Sequence, residues 1–170
     1  MTHELVLVGI GGNLAVPPLG TPQAVLAAAV AALPAVGLRV QRRSRWYVSA
    51  PVPPSDQPDY VNAVIHVDPG PRNPAEVLAV LHAVEAEFGR KRSVPNAARI
   101  LDLDLLAWGD RVLGGAAGPI VPHPRLHLRA FVLQPLAELA ADWRHPLLGE
   151  TVGGLLAGLP PGQRCDPLSA

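Results

Sequence analysis

Tyr60-Val61-Asn62-Ala63-Val64-Ile65-His66-Val67-Asp68 is the segment from which the architecture can be worked out. Its side chains alternate: Val61, Ala63, Ile65 and Val67 share one apolar face, while Tyr60 and Asn62 share the other. A period of two in a run rich in β-branched residues specifies a strand with one face against a core. Upstream, Ala50 to Pro58 carries four prolines, which restrict the backbone and interrupt regular pairing, so an irregular loop leads into the strand. Before that loop, Leu38 to Ser49 is rich in β-formers and arginine and reads as a solvent-edged strand. Downstream, Asn73-Pro74-Ala75-Glu76 has the form of a capping box and opens a helix reaching about Phe88.

Farther out, Leu5 to Ile10 is a short apolar run ending in glycines and reads as a buried strand. Thr21-Pro22 starts a helix, with a hydroxyl at N-cap and proline at N1. Val25, Leu26, Ala29, Val30 and Leu33 recur at helical spacing until Pro34 and Gly37 stop them. Ile100 to Trp108 forms another strand, and Phe131 to Leu139 a final helical candidate. The order β-α-β-β-α-β is that of a ferredoxin-like α/β (α+β) core with an antiparallel sheet and a C-terminal extension. Pro124, Pro135 and Pro146 indicate that the tail wraps around the core. The expectation is a single domain over residues 1–170, with the motif-bearing core at about 4–148.

The 170 residues are 49% hydrophobic and 16% charged, a globular composition with enough length for a real core. The 14 basic residues balance the 14 acidic ones, so no overall field draws nucleic acid or an anionic membrane, and any phosphate site is local. The lone Cys165 forms no internal disulfide and suits a reducing compartment. Leu5 to Ile10 is too short for a signal peptide, and Ala24 to Ala32 falls well short of a membrane span. These features suggest a cytoplasmic protein.

The sharpest chemical signal is Arg99-Ile100-Leu101-Asp102-Leu103-Asp104-Leu105-Leu106. On a strand, Asp102 and Asp104 project from one face, roughly 7 Å apart, and repel unless a cation lies near both. Paired carboxylates are hard ligands suited to Mg²⁺, which combines them with substrate phosphates. Arg90, Lys91, Arg92 and Arg99 precede this strand, and guanidinium forks bind phosphate oxygens bidentately. Gly89, Ser93, Pro95 and Asn96 give the same stretch the makings of a lid.

Glu85 falls in the apolar sector of its helix with Val77, Leu81, Val84 and Phe88, so it needs a buried partner or a pocket wall. Tyr60 and Asn62 offer an aromatic and an amide to a heterocycle. Val121-Pro122-His123-Pro124, followed by Arg129-Ala130-Phe131, adds a rigidly framed histidine, an arginine and another aromatic. A chance acidic strand face, a solvated basic loop and ordinary packing are the plain alternatives for each feature alone. His123 and His127 match no zinc pattern, and His3, His66 and His145 read as surface or structural. There is no GxxxxGK[ST] loop, and Leu14 replaces the third glycine of a dinucleotide pattern begun at Gly9.

Together these residues resemble the 6-hydroxymethyl-7,8-dihydropterin pyrophosphokinase family from Gly11-Gly12-Asn13-Leu14 to about Leu136. The anchors are Asp56-Gln57-Pro58-Asp59-Tyr60-Val61-Asn62-Ala63, the Arg99-x-x-Asp-x-Asp signature, and Val-Pro-His-Pro with Arg129-x-Phe131. The resemblance implies transfer of the β,γ-pyrophosphoryl group of ATP to the pterin hydroxymethyl oxygen, with release of AMP. It implies that Asp102 and Asp104 hold two Mg²⁺ ions, and that Tyr60, Asn62, Glu85 and Phe131 line the pterin pocket. His82, Arg90, Arg92, Arg99, His123 and Arg129 are implied ATP contacts, His82 standing where many relatives have glutamine, and Arg90, Arg99, Asp102 and Asp104 are the implied catalytic residues, the two arginines closest to the transferring phosphates. Gly12 replaces a frequent serine, and Asn96-Ala97-Ala98 replaces a frequent Trp-Gly-Pro. The implied partners are the small-molecule substrates ATP and 6-hydroxymethyl-7,8-dihydropterin, bound by a monomer. A non-catalytic ferredoxin-like binding module and another Mg-dependent phosphotransferase are the competing readings.

Overall fold

The computed structural model of the chain describes residues 4–89, 98–115 and 118–168. Strand β1 (Val6–Gly12) is followed by helix α1 (Pro22–Ala32), strands β2 (Arg39–Arg43), β3 (Tyr47–Ser49) and β4 (Tyr60–Asp68), and helix α2 (Pro74–Glu87). Strand β5 (Asp102–Trp108), helices α3 (Ala130–Ala140) and α4 (Val152–Ala157), and strand β6 (Cys165–Pro167) complete the chain. The α+β ferredoxin-like reading is correct: the strands form one sheet in the order β5-β1-β4-β3-β6, with β2 also on β4, and every pairing is antiparallel.

Local chemistry explains the helix starts. The Thr21 hydroxyl accepts from Ala24 N–H at the head of α1. At α2, Asn73 Oδ1 accepts from Glu76 N–H at 2.9 Å, and Glu76 returns the bond to Asn73 N–H at 3.0 Å. The span from Leu38 to Ser49 differs from the single strand expected. Ser44 interrupts it: its N–H donates to Val64 O, and its buried hydroxyl accepts from Val64 N–H. The side chain thus replaces a ladder partner and splits the run into β2 and β3. The tail adds α4 and edge strand β6, neither of which a periodic pattern announced, and Pro135 sits inside α3 without ending it.

The two faces of the sheet carry different layers. Val8 and Ile10 of β1, Ala63 and Ile65 of β4, and Leu103 and Leu105 of β5 pack toward α1 and α2. Leu7, Val64 and Leu106 face α3 and α4. At the head of helix α3, Arg129 makes no side-chain capping bond, and Gln163 Oε1 accepts the Ala130 N–H at 2.9 Å instead; buried Leu133 and Leu136 anchor the helix, at roughly 1.5–3 kcal/mol each. Arg42 also donates to the carbonyls of Glu138 and Leu139 near its C-terminus.

Glu138 completes this clamp, accepting from Arg45 N–H at 3.0 Å, from the Arg45 guanidinium and from the Tyr47 hydroxyl. Burial alone would raise the Glu138 carboxyl, but these donors and the Arg45 charge together hold it below its ordinary value. Burial, then the bond to Glu138, pushes Tyr47 up to about 12. A carboxyl depressed in the folded state contributes stability above its unfolded pKa, which is lost as pH falls through the folded value. Glu138→Gln is therefore expected to be less stable than the wild type at neutral pH. That deficit should shrink as pH falls below about 4, in paired denaturant titrations at the two pH values.

Candidate active site

The register of three strands builds the site. Gly11 of β1 lies opposite Asn62 of β4 on one side and Asp102 of β5 on the other. Two residues back, Gly9 lies between Val64 and Asp104. On this face the central strand therefore has no side chains between the amide and the carboxylates. A Cβ at Gly11 would stand 2.6 Å from Asn62 Oδ1. The space left open is a cavity of about 400 Å³. The loop around Pro51 to Pro53 bounds it on one side, and His123 to Arg129 on another.

Eight of the residues singled out from the sequence line this cavity: Tyr60, Asn62, Arg99, Asp102, Asp104, His123, Arg129 and Phe131. Glu85 does not. Its strand neighbour is Leu103, whose side chain belongs to the α1–α2 face, and Glu85 Oε2 accepts the Leu103 N–H at 2.9 Å. Its helical-wheel position signalled burial, but burial against a strand edge and burial at a pocket wall look alike in sequence. His82 is exposed on α2 and does not line the cavity. Arg90 and Arg92 lie outside the described residues, as do Lys91 and the lid positions Ser93, Pro95 and Asn96.

A polar frame fixes the lining groups. One Arg99 guanidinium nitrogen donates to both Asp102 oxygens, at 2.9 and 3.0 Å. Buried Asn13 exchanges bonds with the Arg99 backbone: Asn13 N–H donates to Arg99 O, and Asn13 Oδ1 accepts from Arg99 N–H. Its amide nitrogen reaches Gln57 Oε1 and Pro58 O. Gln57 Oε1 also accepts from the Tyr60 hydroxyl at 3.1 Å, and Asn62 donates to Ser49 Oγ at 2.7 Å. Asn13, Ser49 and Gln57 were not picked out as site residues, because their roles depend on which strands meet. Arg125 also lines the cavity, and only its place beside His123 hinted at this.

Electrostatics follow from this frame. Burial works against the Arg99 charge, but Asp102, with Tyr60 and Asp104, raises its proton affinity above the ordinary arginine value. Burial also raises the Tyr60 phenol, with Arg99 opposing and Asp102 assisting. Burial lowers His123; Asp104 opposes this, and Arg129 and Arg125 reinforce it. His123 Nδ1 accepts from Arg125 N–H at 3.1 Å, which assigns the proton of the neutral ring to Nε2. Arg129 is lowered by burial and packs its guanidinium against Phe131, 5.3 Å from the ring centre. The lining thus holds three guanidiniums, Arg99, Arg125 and Arg129, around two carboxylates, a charge pattern suited to a polyanion bound with a cation.

The family model described as 7,8-dihydro-6-hydroxymethylpterin-pyrophosphokinase matches residues 7–141. The chain belongs to this family. Among similar proteins, the 2-amino-4-hydroxy-6-hydroxymethyldihydropteridine pyrophosphokinase of Synechocystis sp. is 44% identical over 147 residues, covering 86% of this chain and 71% of that one. The Pseudomonas aeruginosa protein of the same description is 39% identical over 158 residues, covering 92% and 93%. That of Haemophilus influenzae is 37% identical over 136 residues, covering 79% and 81%. The matched span contains every lining residue discussed above, so family and cavity coincide.

The Gly11 constraint is testable. Gly11→Ala must displace the buried Asn62 amide from Ser49, with an expected loss of about 1–3 kcal/mol. Gly114→Ala, where a Cβ meets nothing within 4 Å, should leave thermal unfolding unchanged.

Proposed function

We propose that the chain transfers the β,γ-pyrophosphoryl group of ATP to the hydroxymethyl oxygen of 6-hydroxymethyl-7,8-dihydropterin, releasing AMP in folate biosynthesis. The observation that carries this reading is the alignment of Asn62, Gly11 and Asp102 across three strands, which puts an amide and a carboxylate on one face with no side chain between them. The hydroxymethyl oxygen forms the new bond to the β-phosphorus, the bond from that phosphorus to the α,β-bridging oxygen breaks, and the hydroxyl proton is released. Membership of a pyrophosphokinase family weighs against the non-catalytic binding module.

The donor set fits Mg²⁺. Asp102 and Asp104 supply two hard oxygen groups on the cavity wall, and this ion completes its shell with water and phosphate oxygens. When bound, Mg²⁺ neutralises phosphate charge and acidifies a coordinated hydroxyl. In this reading Asp102 and Asp104 hold the two ions.

The remaining work is alignment and charge. Asn62, fixed by Ser49, hydrogen-bonds the pterin ring edge, while Phe131 and Tyr60 give it aromatic walls. Arg99 and Arg129 hold phosphate oxygens, and neutral His123 offers its Nε2–H to the nucleotide. Phosphoryl-type transfer depends mainly on such positioning and electrostatic stabilisation. A cytoplasmic monomer is part of the proposal; the lone Cys165 suits a reducing compartment, and no described helix is long and apolar enough to cross a membrane.

The deciding experiment is AMP formation from ATP and Mg²⁺, with and without the pterin alcohol. Pterin-dependent AMP supports the reading, ADP would point to a simple kinase, and no nucleotide product would overturn it. Asp104→Ala should lower kcat by on the order of 10²–10³ while leaving thermal unfolding nearly unchanged; near-normal turnover would remove the metal assignment. Asn62→Ala should weaken pterin binding by about 10-fold or more and ATP binding much less, and calorimetry showing equal losses would count against this pocket.

A further inference from the structure

Glu85 is a buried carboxylate, 4% exposed, that lies across the sheet from the cavity. Its place relative to β5 is specific. Among the described residues this strand is an edge of the sheet, paired with β1 alone. Successive peptide groups of a strand point to opposite edges, and the Leu103 N–H is one that turns away from β1, toward Glu85 on α2. Leu103 stands between Asp102 and Asp104, and its N–H is the group that Glu85 Oε2 accepts at 2.9 Å. On the same strand, Leu106 O accepts the His123 N–H at 2.8 Å, so that edge is held at two points, one on each side of Asp104.

Resting on the pyrophosphokinase reading, we propose that Glu85 is a positioning residue: by holding the Leu103 peptide it sets the orientation and spacing at which Asp102 and Asp104 meet the Mg²⁺-bound nucleotide. Among the described residues, strand β5 has no neighbouring strand on this side to do so. The Leu103 N–H belongs to the peptide that joins it to Asp102, so a small rotation there turns the Asp102 side chain directly and shifts Asp104 through the Leu103 backbone. Glu85 also reaches this point from α2, whose Val77, Leu81 and Val84 are packed in the core, so the acceptor is carried on a rigid element. The role requires a side-chain oxygen at this reach and does not require contact with substrate.

Three variants separate the possibilities. Glu85→Gln keeps an acceptor at the same reach, Glu85→Asp keeps the charge but is one methylene short, and Glu85→Leu keeps apolar bulk without an acceptor. Turnover and binding of a non-hydrolysable ATP analogue with Mg²⁺ should fall by about 10-fold or more in the Asp and Leu variants and be restored to within about threefold by Gln. Calorimetry should show pterin affinity little changed throughout, and hydrogen exchange at the Leu103 amide should quicken in Asp and Leu only. If the Leu variant does not fold, the Asp and Gln variants decide the matter. The proposal is overturned if Gln and Asp behave alike, if stability falls while nucleotide binding and kcat hold, or if pterin affinity falls in step with nucleotide affinity. Failure of the pyrophosphokinase reading shows separately, as a wild type that releases no pterin-dependent AMP; analogue binding and Leu103 exchange still compare variant with wild type.

Discussion

Two missing side chains on the central strand set the terms for the rest of the site. Gly9 and Gly11 lie on the same face of β1, flanked by β4 and β5. Any larger residue at position 11 would push into the Asn62 amide, and one at position 9 would press on Leu106. The sheet thus has a floor of bare backbone exactly one strand wide, with an amide and an aromatic on one bank and two carboxylates on the other. A planar ring and a charged chain can lie side by side there without a side chain between them. Glycine is weak in strands because it offers nothing to pack. Here that weakness is offset on the opposite face, where Val8 and Ile10 are buried.

Gly12 extends the same constraint to the end of β1. A Cβ there would stand 2.4 Å from the carbonyl oxygen of Ile100, so glycine lets the strand end close on the segment that carries Arg99. Asn13 follows directly and ties that segment to Gln57 and Pro58 of the proline-rich loop. The two walls of the cavity are therefore joined through one buried amide. The glycine at position 12, which departs from the serine frequent in the family, is compatible with this close approach and leaves the Asn13 bonds intact.

Much of this was legible in the sequence, for identifiable reasons. The alternation in Tyr60–Asp68, the capping box at Asn73 and the Thr21-Pro22 start are local signals, and the structure repeats them because no tertiary contact opposes them. The Asp-x-Asp pattern disclosed two carboxylates on one face, since period two is a property of the strand itself. What stayed hidden depends on pairing. Ser44 splits a run of β-formers only because Val64 is its neighbour, and β6 exists only because β3 has an open edge. The burial of Glu85 follows from its place on the helical wheel, but the backbone N–H of Leu103 that it accepts depends on where β5 packs, which the sequence alone does not contain.

Strand β5 shows why stability and chemistry are coupled in this molecule. Leu103 and Leu105 point into the α1–α2 core, and Asp102 and Asp104 point into the cavity, from the same seven residues. A slip of one residue would bury both carboxylates and expose both leucines, so the hydrophobic core enforces the register that the charged face requires. Repulsion between the carboxylates works against that register, and the cations around them relieve it. Arg99 is bonded directly to Asp102, and the charges of Arg129 and Asp104 favour one another. In the proposed reaction a polyphosphate with its metal ions would insert charge of both signs into this balance. The ions would favour the carboxylates as the phosphates favour the guanidiniums, so each half of the incoming complex would meet a counterpart already held in place by the fold.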